Sequence, residues 1–119
     1  MAEATDLLTD GFVFRHPPLT PAEGVVGRQA FLTNVLAPTR QAFPDMTFSI
    51  ADVVVNGDRA FARWMMDATH REAYMGVAVT GRPVHVEGMN IFHIENGRIA
   101  AIWVARDNVG LLRQLGQAI

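Results

Sequence analysis

No cysteine occurs in the 119 residues, which excludes disulfides, thiolate metal sites and cysteine nucleophiles. Lysine is absent too: every basic residue is an arginine, and the arginines are spread singly along the chain. Without a basic block or a stripe of cations interleaved with aromatics, the sequence gives nucleic-acid binding little support. No apolar run approaches the roughly 20 residues that span a bilayer. The acidic opening MAEATDLLTDG lacks the basic and apolar regions of a signal peptide, so the sequence points to the cytoplasm. Repeats and low-complexity segments are also missing. What remains is ordinary for one globular domain over residues 1–119: half the residues are apolar, 18% are charged and the formal net charge is −2.

Turn signals divide the chain. Residues 2–9 read as a short helix ending at Asp10-Gly11, and FVFRHPP as a strand stopped by Pro17-Pro18. RQAFLTNVLAPTRQAF carries helical spacing in Phe31, Val35 and Leu36, with Pro38 kinking or splitting it. TFSIADVVV and RAFARWMMDATH form a hairpin around Asn56-Gly57, and VHVEGMNIFHI pairs with the following strand around Asn96-Gly97. NVGLLRQLG closes the chain as a short helix with Gly116 as its stop. The class is α+β, a curved antiparallel sheet with helices against one face.

Strand alternation isolates the unusual polar residues. In 84–95 one face carries Val84, Val86, Gly88, Asn90, Phe92 and Ile94, so Asn90 is the lone polar group on a core face. Trp64, Met66 and Ala68 lead to His70 in the same way, and Phe12 and Phe14 lead to His16. A buried polar group without a partner costs on the order of 1–3 kcal/mol, so each of the three needs a partner, a water or a ligand. Gly88 beside Asn90 leaves room for something to approach. Met89 and Ile91 break the otherwise polar opposite face, as expected where a sheet meets a second subunit. His85, Glu87 and His93 share that face. The two histidines lie about 26 Å apart along an extended strand and cannot share a metal.

The ordered set FVFRHP, AFPDM, NGDRAFARW, TH, TGRPV and NGRI, followed by Trp103, Asp107 and LLRQLG, resembles the SnoaL-like polyketide cyclases of the nuclear-transport-factor-like superfamily. The match runs from about residue 5 to the end. The resemblance implies a cone-shaped fold around a deep apolar pocket, a homodimer, and cofactor-free acid/base chemistry on a small hydrophobic or polyketide-like compound. It also implies a fuller helix before residue 5 than this chain carries. Aligned through Asn96-Gly97 and LLRQLG, the family's catalytic Asp falls on Val104 and its partner His on Asn90. An epoxide-hydrolase-like reading again wants an acid at Val104. A third pocket position falls on His16, and the TH histidine is kept as His70.

With the usual acid/base pair replaced, His16, Asp107 and Asn90 are the remaining catalytic candidates. His70, Trp64, Met66, Phe14, Phe92, Trp103 and Val104 are the candidate substrate-binding residues. Asp107 reads first as the cap of the terminal helix, a role that can coexist with one in the pocket. Two hairpin registers fit residues 95–98. A two-residue turn places Asn90 with Trp103 and Asp107, whereas a one-residue shift places it with Ile102, Val104 and Arg106. The family's pairing favours the second, or a bulge further along the strand. Two functions stay open: a cofactor-free cyclase or isomerase, and a binding module whose pocket holds a small hydrophobic ligand without chemistry.

Overall fold

The computed structural model describes residues 6–17 and 19–118. Six strands form one sheet in the order β2-β1-β6-β5-β4-β3. They are β1 Leu8–Arg15, β2 Val25–Val26, β3 Thr47–Asn56, β4 Arg59–Thr69, β5 Pro83–Glu95 and β6 Arg98–Arg106. Between β2 and β3 the chain is helical in three pieces: α1 Arg28–Phe31, a π-helical turn Leu32–Leu36 and α2 Ala37–Ala42. Helix α3, Asn108–Gln114, follows β6 and ends before Gly116 at φ 91°. The expected α+β cone is therefore present.

Several local expectations change. Of the helix expected over residues 2–9, residues 2–5 lie outside the described residues; Asp6 and Leu7 are helical, and Leu8 already opens β1. Asp10-Gly11 does not end a helix but sits where the β1–β6 register slips, with Asp10 paired to Arg28 at 2.9 Å. Burial of Leu8 with Phe12 and Phe14 explains why the strand starts early. Pro18, half of the expected strand stop, lies outside the described residues. The sheet is also mixed rather than wholly antiparallel, because β1 runs parallel to β6. A parallel pair needs a long crossover, and all the intervening chain supplies it.

Pro38 acts as expected, by a specific device. Its ring clashes with the carbonyl four residues back and it donates no N–H, and the helix answers with the wide π turn just before it. Thr39 Oγ1 then donates to the Val35 carbonyl at 2.7 Å. In the first hairpin Asn56 pairs with Arg59, so the turn residues are Gly57-Asp58, one place later than the sequence suggests. Gly57, at φ 61°, takes the first central position, as a II′ turn requires.

The second hairpin fixes the site. Asn96 and Gly97 both have positive φ, 50° and 77°, and Ile94 pairs with Ile99 across a two-residue turn. Ala100 is then an extra residue: His93 pairs with Ala101, and Asn90 comes opposite Val104. The two registers left open by the sequence thus both occur, one on each side of the bulge. Below it, Ile102, Val104 and Arg106 face inward with Asn90 and Phe92, and Trp103 faces outward with Ile91.

Two buried clusters hold the inner face. One joins Phe43, Trp64, Met66, Val84, Val86, Leu111 and Leu115; the other joins Leu8, Phe12 and Phe14. Val104 packs against both, so it marks the seam between them.

Candidate functional site

At that seam lies a cavity of about 340 Å³. Apolar side chains form most of its wall: Phe14 from β1, Phe31 and Val35 from the helical segment, Phe48 from β3, Trp64 and Met66 from β4, and Phe92 and Val104 from the central hairpin. Its polar groups are few. His16, Asn90, Arg106, Tyr74, Thr39 and Arg40 line it, and no Asp or Glu does. Larger depressions of about 810 and 530 Å³ also exist. The second runs over the outer sheet face between Phe61, Met89, Ile91 and Trp103; Pro17, Asn90 and Val104 also border it, but His16 does not.

Asn90 is fixed by one strong contact. Trp64 Nε1 donates to its Oδ1 at 3.0 Å, which satisfies the buried indole N–H and leaves the amide Nδ2 as the donor for a guest. The space beside Gly88 turns out to belong to the protein: a Cβ on Gly88 would run into the Trp64 ring. Gly88 therefore lets the indole lie flat against β5 and reach Asn90, rather than opening room for a ligand.

His16 is buried at the end of β1, and its pKa is lowered from 6.5 to about 4. Burial is the main cause, and the positive charge of Arg106 adds to it. A chain of contacts sets its tautomer. Arg106 Nε donates to Asn108 Oδ1 at 2.7 Å, which turns the Asn108 amide nitrogen toward His16 Nε2 at 3.4 Å. His16 Nε2 is then the acceptor and Nδ1 carries the proton. The bond is long, so the Nε2 lone pair is readily exchanged for another proton donor.

Arg106 organises the mouth. Besides Asn108 it donates to Tyr74 Oη at 3.1 Å and to Met75 Sδ at 3.5 Å, and its guanidinium lies 5.5 Å from the centre of the Tyr74 ring. Met75 holds a left-handed φ of 52°, and Gly76 follows at 76°, which folds the 74–77 turn back toward this arginine. Arg106, Asn108 and Tyr74 were not among the residues singled out from the sequence. The shifted register read from the sequence already set Arg106 on the face of Asn90 without giving it a role, and the strand pairing has that register here; nothing in the sequence marks Tyr74.

The structure brings together His16, Asn90, Phe14, Trp64, Met66, Phe92 and Val104 around one cavity. It places three other candidates elsewhere. Trp103, on the outer side of the bulge register, stacks under Arg15 at 5.2 Å. His70 is fully buried outside the cavity lining; Thr80 N and Oγ1 meet its Nδ1 at 3.2 and 2.9 Å, and its ring packs on Phe43. Asp107 caps α3, with Oδ1 accepting from Gly110 N at 2.8 Å, and is not in the cavity lining. Asp107→Ala is accordingly expected to lower stability by about 0.5–2 kcal/mol. Urea unfolding measures that loss, and calorimetric ligand titration should show binding unchanged.

No group of three or more His, Asp or Glu that could hold a metal ion is present among the described residues, and no described helix is long and apolar enough to cross a membrane. The sequence profile of the SnoaL-like polyketide cyclases matches residues 1–115. Among solved structures the chain is similar to IdmH from Streptomyces antibioticus, at 34% identity over 98% of this chain and 86% of that one, with a TM-score of 0.79. TsrD from Streptomyces laurentii matches at 28% identity, covering 97% and 81% of the two chains, with a TM-score of 0.78. A SnoaL-like polyketide cyclase from Agrobacterium tumefaciens shares the fold, at 23% identity, 97% and 84% coverage and a TM-score of 0.78. A search of curated proteins found no match.

Proposed function

This chain belongs to the SnoaL-like polyketide cyclase family, and from that premise we propose that it is a cofactor-free enzyme moving a proton on a small, apolar, polyketide-like carbonyl compound. One observation carries the reading: His16, just past the end of β1, and Asn90, on β5, converge on a single cavity whose wall is otherwise mainly apolar. Asn90 Nδ2 donates to the carbonyl oxygen and stabilises the charge that grows there as a neighbouring C–H bond ionises. His16 Nε2, unprotonated at neutral pH, takes the proton and returns it at the next carbon or oxygen. Val104, where the family's acid would stand, forms wall. Esters that depend on that acid should not turn over at an enzyme-like rate.

Solvent-deuterium exchange into 2-tetralone, a bicyclic ketone with an acidic C–H beside its carbonyl, tests the reading. Saturable exchange above the buffer rate supports it. Binding of the ketone without exchange supports the second reading, a non-catalytic carrier, which Val104 favours.

The same reading includes a homodimer through the outer sheet face. Val54, Phe61, Met89 and Ile91 lie exposed there on neighbouring strands. An apolar face of this kind is what a second subunit covers. Light scattering should return twice the 13.1 kDa chain mass, and Met89→Glu should halve it. A wild-type monomer into the millimolar range would contradict the dimer.

A further inference from the structure

Arg106 is a cation in the inner cavity wall, whose lining holds no carboxylate; Glu87 and Asp107 line only the neighbouring larger depression that it also borders. Its hydrogen bonds go to an amide oxygen, a phenol and a thioether, and it forms no ion pair among the described residues. The cavity lining holds two arginines and no carboxylate, in a chain whose net charge is −2. Acidic residues thus outnumber basic ones overall, yet the charged side chains that line this cavity are arginines. Buried or half-buried charges are ordinarily paired, and a guanidinium held by neutral acceptors keeps its capacity for a carboxylate. Those neutral acceptors also fix its orientation, so little ordering is left for the moment of binding.

We infer that the cavity selects small apolar compounds that carry a free carboxylate, with the Arg106 guanidinium as its anchor. The inference rests on the cavity's being the functional site and adds the charge class of what enters it. Register supplies the second half of the recognition. Arg106 pairs with Gly88 and Val104 with Asn90, so Arg106 and Asn90 are diagonal neighbours on the same face of adjacent strands. Such neighbours stand about 7–8 Å apart. A compound anchored by its carboxylate at Arg106 therefore extends its apolar body along Val104 toward Asn90 and Trp64. Arg106 is then a specificity-determining residue, and a neutral ester of the same shape loses the anchor.

Isothermal titration calorimetry with 2-naphthoate and methyl 2-naphthoate tests this on the wild-type protein, because the two probes share one body and differ in charge. The acid should bind about tenfold tighter or more, the range of a charge-assisted hydrogen bond. In Arg106→Gln the preference should fall to near unity, with the ester's affinity little changed; circular dichroism verifies that the variant is folded. Equal binding of acid and ester to the wild type overturns the inference and leaves the cavity reading standing, and that comparison does not depend on the variant folding. A preference that survives in folded Arg106→Gln overturns it as well. Binding of neither probe overturns the cavity reading itself.

Discussion

His16→Gln is expected to lower kcat/KM for deuterium exchange by about 10²–10⁴-fold, the usual contribution of a positioned proton acceptor. Glutamine approximates the ring's reach and keeps an acceptor for Asn108, so packing is preserved while the basic nitrogen is lost. The pH profile separates this from a merely structural role. Burial, aided by Arg106, lowers the His16 pKa from 6.5 to about 4. A base works in its unprotonated form, so wild-type kcat/KM should stay level from pH 8 down to about 5. It should then fall as pH drops through about 4, whereas an unperturbed histidine would already have lost half its activity at about pH 6.5. Exchange rates measured across that range decide it. A decline centred near 6.5, or a Gln variant of undiminished rate, would remove His16 from the chemistry.

Asn90→Leu is the second large effect, and the structure alters its sign for folding. Alternation alone makes leucine look harmless on an apolar face. The Trp64 indole, however, donates to Asn90 Oδ1 and is itself buried, so the leucine variant strands a buried donor. Unfolding should show a loss of about 1–3 kcal/mol. Ligand affinity should fall by a similar about 1–3 kcal/mol, because the free amide donor goes too. The double variant Asn90→Leu, Trp64→Phe removes both partners and should recover part of the stability without recovering the binding. A single Leu variant as stable as the wild type in urea would mean that this hydrogen bond does little for the fold.

Much of this is legible in the sequence alone. The three lone polar residues His16, His70 and Asn90 follow from period-two alternation, and all three side chains lie on the inward faces assigned to them. The ends of β3 to β6 follow from turn chemistry to within a residue or two. What stayed hidden depended on single-residue irregularities. Whether Trp103 or Val104 faces Asn90 rests on the extra Ala100, and an alanine in a run of apolar residues carries no mark of a bulge. The role of Gly88 as the seat of the Trp64 ring needs the cross-strand register of β4 and β5. Tyr74 joins Arg106 through a left-handed turn at Met75, a residue type that gives no such signal. The sequence could weigh Asp107 as cap or catalyst, and the geometry supplies the Gly110 contact.

The central claim is that small carbonyl compounds are handled in the inner cavity at Asn90 and His16. A crystal structure of the protein with 2-tetralone tests it most directly. The account predicts the ketone between Phe14, Trp64 and Phe92, with its oxygen within hydrogen-bond reach of Asn90 Nδ2 and its acidic carbon toward His16. A ketone seated instead in the outer depression beside Met89 and Trp103, with the inner cavity holding none, would contradict it.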